Sequence, residues 1–98
     1  MITKIAFSTA PMRYGSRRSL LVESTVGFLE VKIKCFVGHP PPPVYKECPE
    51  CGTFQVASGS TTTVKAPSVA FTAGRNQLEV IVSESTGDKR NFLIDLYD

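Results

Sequence analysis

The chain is short of several things, and each shortage removes a class of answer. Among its 98 residues there is no tryptophan and only one histidine, His39. A Ser/His/Asp arrangement would have to use that imidazole, which sits beside four prolines with no nucleophile elbow nearby. The seven glycines fall singly at turn positions, so no phosphate-cradling loop is formed. Glu47 and Glu50 are the carboxylates nearest the cysteines, and nothing around them in sequence would shift a pKa for acid/base work. No run approaches the roughly 20 apolar residues a membrane helix requires. Net charge is +2, far from the basic footprint of a nucleic-acid binder. The opening MITKIAFSTAPMRYG has no long apolar core of a secretory signal; the expectation is cytoplasmic synthesis, or a domain excised from a longer chain. Three cysteines, an odd number, argue against a fully paired secreted scaffold.

What is present is alternation. Leu78, Val80 and Val82 share one face of a strand, with Gln77, Glu79 and Ser83 opposite. After the turn-rich Ser85-Thr86-Gly87-Asp88, Phe92, Ile94 and Leu96 repeat the pattern against Asn91, Asp95 and Tyr97. Period-two alternation bounded by Gly, Asp and Ser predicts a hairpin of half-buried strands. Phe28 to Val37 is the longest strand candidate: Leu29, Val31, Ile33, Cys35 and Val37 point one way, Glu30, Lys32 and Lys34 the other. Shorter strands are expected at Thr3, Ile5 and Phe7, at Ser19 to Glu23, at Phe54 and Val56, at Thr61 to Lys65, and at Val69 and Phe71. Gly15-Ser16-Arg17-Arg18 reads as a polar turn whose arginines are solvated. No stretch offers an amphipathic helix of three turns. About seven short strands with turn signals every 8–12 residues or so predict one all-β antiparallel sandwich over residues 1–98.

The run Val69-Ala70-Phe71-Thr72-Ala73-Gly74-Arg75-Asn76-Gln77-Leu78-Glu79-Val80, with the strand from Asp88 to Leu96, resembles the last strands of immunoglobulin-like modules. The likeness is to the bacterial, cadherin-like and phage-borne types, where a Gly-x-Asn-x-Leu-x-Val phrase precedes the penultimate strand. It covers roughly the last third of the chain. The paired cysteines and buried tryptophan of antibody domains are absent. The resemblance implies a binding, adhesive or structural module.

The unusual stretch is Gly38 to Gly52, GHPPPPVYKECPECG, a long Pro/Cys-rich connection. Pro40 to Pro43 favour an extended polyproline II segment, which protrudes or runs along a sheet edge. Cys48-Pro49-Glu50-Cys51-Gly52 has the Cys-x-x-Cys-Gly form of a zinc knuckle. Zinc needs four ligands, and Cys35 and His39 are the remaining thiol and imidazole, giving a Cys₃His set of Cys48, Cys51, Cys35 and His39. Against this, the alternation places Cys35 on the apolar face, where a cysteine behaves as a small hydrophobe. A Cys48–Cys51 disulfide and plain thiols are the other readings, and without a βαβ context thioredoxin-like catalysis is not expected. Pro42-Pro43-Val44-Tyr45 also matches the Pro-Pro-x-Tyr form bound by WW domains, with Pro42, Pro43 and Tyr45 as contacts. Its bland counterpart is a rigid loop with Tyr45 packed on the sandwich.

The expectation is therefore a non-catalytic structural or interaction module, of a phage, viral or bacterial surface assembly, using the 38–52 connection as a contact arm. The partner is a protein, the same chain or a neighbouring one, with no nucleic acid and no membrane insertion; zinc is the one candidate cofactor. Presentation of a Pro-Pro-x-Tyr motif and a small zinc-binding or redox protein are the alternatives.

Overall fold

The computed structural model describes residues 1–37, 44–46, 51–68 and 76–98. Among them the chain forms nine strand segments and no helix: β1 (Ile2–Ala6), β2 (Met12–Arg13), β3 (Arg17–Ser24), β4 (Phe28–Val37), β5 (Val44–Lys46), β6 (Gly52–Ala57), β7 (Thr61–Lys65), β8 (Asn76–Ser83) and β9 (Lys89–Tyr97). They make two sheets. The smaller has the order β1-β3-β7; the larger runs β2-β9-β8-β4, with β5 and β6 both paired to β4.

The alternating residues do what their period requires. Leu78, Val80 and Val82 of β8, Ile94 of β9 and Leu29, Val31, Ile33 and Cys35 of β4 are all buried. Leu20 and Val22 of β3 and Val64 of β7 come from the smaller sheet and join the same cluster, so the two sheets share one core. Phe7 and Phe92 meet edge to face at its margin, with centroids 5.7 Å apart. Gly59 (φ +83°) and Gly87 (φ +98°) occupy left-handed turn positions, after β6 and after β8, that a side chain would strain.

Several expectations change. The first strand is not a simple Thr3-Ile5-Phe7 alternation. The register of β1 on β3 shifts between Ile2 and Lys4, so Ile2 is buried while Thr3 is exposed. This bulge re-aims the strand by one residue. The pairing is not wholly antiparallel either. Beyond Pro11 the chain leaves the small sheet, and β2 pairs in parallel with β9, Met12 opposite Leu96 and Arg13 opposite Tyr97. Met12, which carried no strand signal, is thereby almost completely buried. Arg17 and Arg18 open β3 instead of forming a turn. The Arg18 guanidinium donates to the carbonyls of Ala10 (2.5 Å), Ser8 (2.9 Å) and Pro11 (3.3 Å), so it organises the crossing from β1 to β2. Val69, Phe71 and the phrase up to Arg75 lie outside the described residues; Asn76, which follows, is buried, and its side chain hydrogen-bonds Tyr14.

A polar clamp joins the sheets at one end. Glu84, only 6 % exposed, follows β8. Its carboxylate accepts hydrogen bonds from Ser24 Oγ of β3 (2.5 Å) and Thr86 Oγ1 (2.6 Å), and pairs with the Met1 ammonium (2.5 Å). Asp88 accepts the Ile2 backbone N–H (2.7 Å) and pairs with Arg90. The Met1 ammonium first, then the two hydroxyls, hold the Glu84 carboxyl below its ordinary 4.5. The Ile2 amide first, then Arg90, hold Asp88 below 3.8.

Two outcomes are expected. Leu78→Ala, which empties a site fully enclosed by both sheets, should cost about 2–5 kcal/mol in urea unfolding, while Asn91→Ala on the wet face should stay within about 0.5 kcal/mol. Both clamp carboxyls titrate lower in the fold than in the open chain, so their stabilisation is complete above the open-chain values. It is lost as pH falls through the depressed ones. The urea midpoint should therefore begin to drop as pH falls below 4.5, and Glu84→Gln should lower the neutral midpoint and flatten that acid response.

Candidate functional site

Strand β4 has one edge on β8 along Glu30 to Val37. Its other edge is shared by two segments. β6 covers Phe28 to Ile33, with Ile33 opposite Gly52, and β5 covers Cys35 to Val37, with Cys35 opposite Lys46. Lys46 and Gly52 are six positions apart in the chain, while their partners on β4, Cys35 and Ile33, are two apart. The Cys-x-x-Cys-Gly phrase falls in the sequence between these two anchor points. The edge is thus one interrupted strand, anchored in register on both sides of the interruption.

Cys35 and Cys51 meet beneath it. Cys35 is 0 % exposed, opposite Leu78 in the β4–β8 ladder, and its inward orientation follows from the same alternation that buries Val31 and Ile33. Cys51, immediately before β6, is half-buried and packs against the core. Their sulfurs are 2.9 Å apart. Cys51 is disulfide-bonded. Two sulfurs sharing one tetrahedral zinc at about 2.3 Å each would stand nearly 3.8 Å apart, so this contact is closer than a shared metal requires. A disulfide-bonded Cys51 also offers no thiolate.

The remaining expected residues distribute as follows. His39, Cys48, Pro42 and Pro43 lie outside the described residues. Tyr45 belongs to β5, its backbone opposite Phe36. Among the described residues no three His, Cys, Asp or Glu side chains cluster as a metal group. Across the outer face of the large sheet, Lys34 stands opposite Glu79, which is 8 % exposed although the alternation places it on the wet side.

Comparisons with known proteins place the chain nowhere. It matches no protein-family model, no curated protein and no solved structure.

At the opposite end of the sheet from the β4–β5 connection, Phe28, Leu29, Glu30, Gln55 and Ser83 to Ser85 line a shallow depression. Phe28 is 66 % exposed there. The period-two pattern marks Phe28 only as a strand start, and its exposure depends on how the turn ends pack. Sequence reading also missed the Glu84 clamp, whose partners at Ser24 and Met1 are distant in the chain. Glu84 beside a turn rich in Ser and Thr was the only local signal for it.

The burial difference between the two cysteines is testable. With disulfides reduced, Cys35→Ser places a hydroxyl in an apolar site and should cost about 1–3 kcal/mol in urea unfolding. Cys51→Ser, at a half-exposed position, should cost distinctly less.

Proposed function

We infer that this chain is a non-catalytic, immunoglobulin-like structural or interaction module whose interrupted β5–β6 edge is its contact arm. The strand neighbours support the first half of that reading. The orders β1-β3-β7 and β9-β8-β4 correspond to A-B-E and G-F-C in an immunoglobulin sandwich. The β5–β6 edge takes the place beside strand C where variable-type domains add strands to the GFC sheet. The observation that carries the second half is the register of Lys46 and Gly52, which holds both flanks of the intervening connection in the β4 ladder. A connection fixed at both ends loses less conformational freedom when a partner covers it than one fixed at neither. A sheet edge also offers backbone donors and acceptors for strand addition. A neighbouring copy or another protein of a phage, viral or bacterial surface assembly fits this contact.

The Pro-Pro-x-Tyr reading is less favoured, since Val44 and Tyr45 already occupy the β4 ladder and would have to leave it to lie in a WW-type groove. Zinc enters only as a property of the reduced chain, because Cys51 must first become a thiolate.

Native mass spectrometry checks these readings together. A defined oligomer that disperses when residues 47–51 are replaced by a two-residue turn, with the β-sheet circular dichroism retained, is the expected result. A strict monomer at every concentration would remove self-assembly as the role of the arm. One zinc per reduced chain would make the arm metal-pinned. Affinity for a WW domain that is lost in Tyr45→Ala would replace this reading by the peptide-presenting one.

A further inference from the structure

We propose that two copies of this chain join edge to edge through β9, the two strands antiparallel and related by a two-fold axis at Phe92. Among the described residues no strand lies beside Lys89 to Asp95 on the side away from β8; β2 takes that side only from Leu96 onward. The direction of the backbone there follows from one bond. Tyr97 gives its carbonyl to the Tyr14 N–H across this edge. Backbone groups alternate in direction along a strand, so Asp95, Leu93, Asn91 and Lys89 face the same way as Tyr97. An edge strand with outward N–H and C=O groups is a template for a further strand.

The charges on the edge decide which strand fits. In an antiparallel pair centred on Phe92, Lys89 of each copy stands opposite Asp95 of the other. Asn91 stands opposite Leu93, and these outward-facing residues exchange N–H···O=C bonds. Lys89, Asn91, Leu93 and Asp95 are all exposed. Two ion pairs and a diagonal Leu93–Leu93 contact therefore form on the outer face without moving a buried group. Asp95 accepts a hydrogen bond from Gln77 Nε2 (2.8 Å), and a carboxylate has further acceptor sites for an ammonium. Arg90 stays with Asp88 of its own turn. On the inner face Phe92, half-buried and edge to face with Phe7, meets its twin at the margin of both cores.

Neighbouring registers lose this match. Centred on Asn91, the pairing sets Lys89 opposite Leu93; centred on Leu93, it sets Lys89 opposite Tyr97, whose edge β2 occupies. Charges that turn away an uncharged strand thus admit the reverse of their own. A single strand pair is a small contact, below the size of a permanent interface, so the dimer is a weak one that fills as concentration rises.

Sedimentation velocity on the full chain, from about 1 μM to 1 mM, tests this. A concentration-dependent dimer is expected. Asp95→Lys and Lys89→Asp each set like charges opposite one another twice, and each should weaken the dimer on the order of tenfold or more with the β-sheet circular dichroism retained. The double variant Lys89→Asp/Asp95→Lys restores opposite charges and should restore the dimer, a rescue that mere loss of folding cannot produce. Replacement of residues 47–51 leaves this edge untouched, so any larger oligomer should disperse in it only as far as this dimer. A monomer throughout the concentration range overturns the proposal. So does a dimer indifferent to the single reversals, a double variant that fails to recover, or dispersal of the 47–51 replacement to monomers.

Discussion

Strand β4 is the constraint on which the rest depends. Its inner row, Leu29, Val31, Ile33 and Cys35, is buried almost completely, while its outer row is Glu30, Lys32 and Lys34. A one-residue slip against β8 would exchange the two rows and bring two ammonium groups into the core. Desolvating them would cost far more than any alternative register could return. With β4 fixed, β8 is fixed on one edge and β5–β6 on the other, and β9 follows from the short turn after β8. The smaller sheet then has one apolar surface to cover, and Leu20, Val22 and Val64 cover it.

This hierarchy explains what was legible. Strands β4, β8 and β9 could be read because each has one dry and one wet face over eight or more residues, and their inner rows are those the alternation selects. The inward-facing Cys35 was legible for the same reason. Strand β2 was not. Two residues carry no period, and Met12 is buried only because the chain crosses from one sheet to the other at Pro11. The bulge in β1 was hidden too, since its signal is a register shift against β3, not a feature of the segment itself. Arg18 looked like a solvated charge. Its role depends on three carbonyls lying seven to ten residues earlier, which only the folded loop brings together. Of the candidate site, the sequence named the residues but not the meeting of Cys35 with Cys51, which depends on how the edge strand is interrupted.

The two edges of the large sheet are handled differently. At the β9 edge, β2 covers only the end of the strand, opposite Leu96 and Tyr97. Arg13 lies over the Tyr97 ring at 5.7 Å there, and the earlier part of β9 carries Lys89, Arg90 and Asp95. Charges and a short strap are ordinary protection against strand addition. Among the described residues the β4 edge is covered by two strand segments instead, β5 and β6. Its outermost strand is split, and the split carries the cysteines. An interruption normally weakens an edge, because ladder hydrogen bonds are lost where the chain leaves the sheet. Here a covalent bond at Cys51 and a sulfur contact to the central strand sit at the place where the ladder is broken. Hydrophobic burial fixes the two sheets on one another, and the sulfur contact lies where the edge of β4 passes from one covering strand to the other.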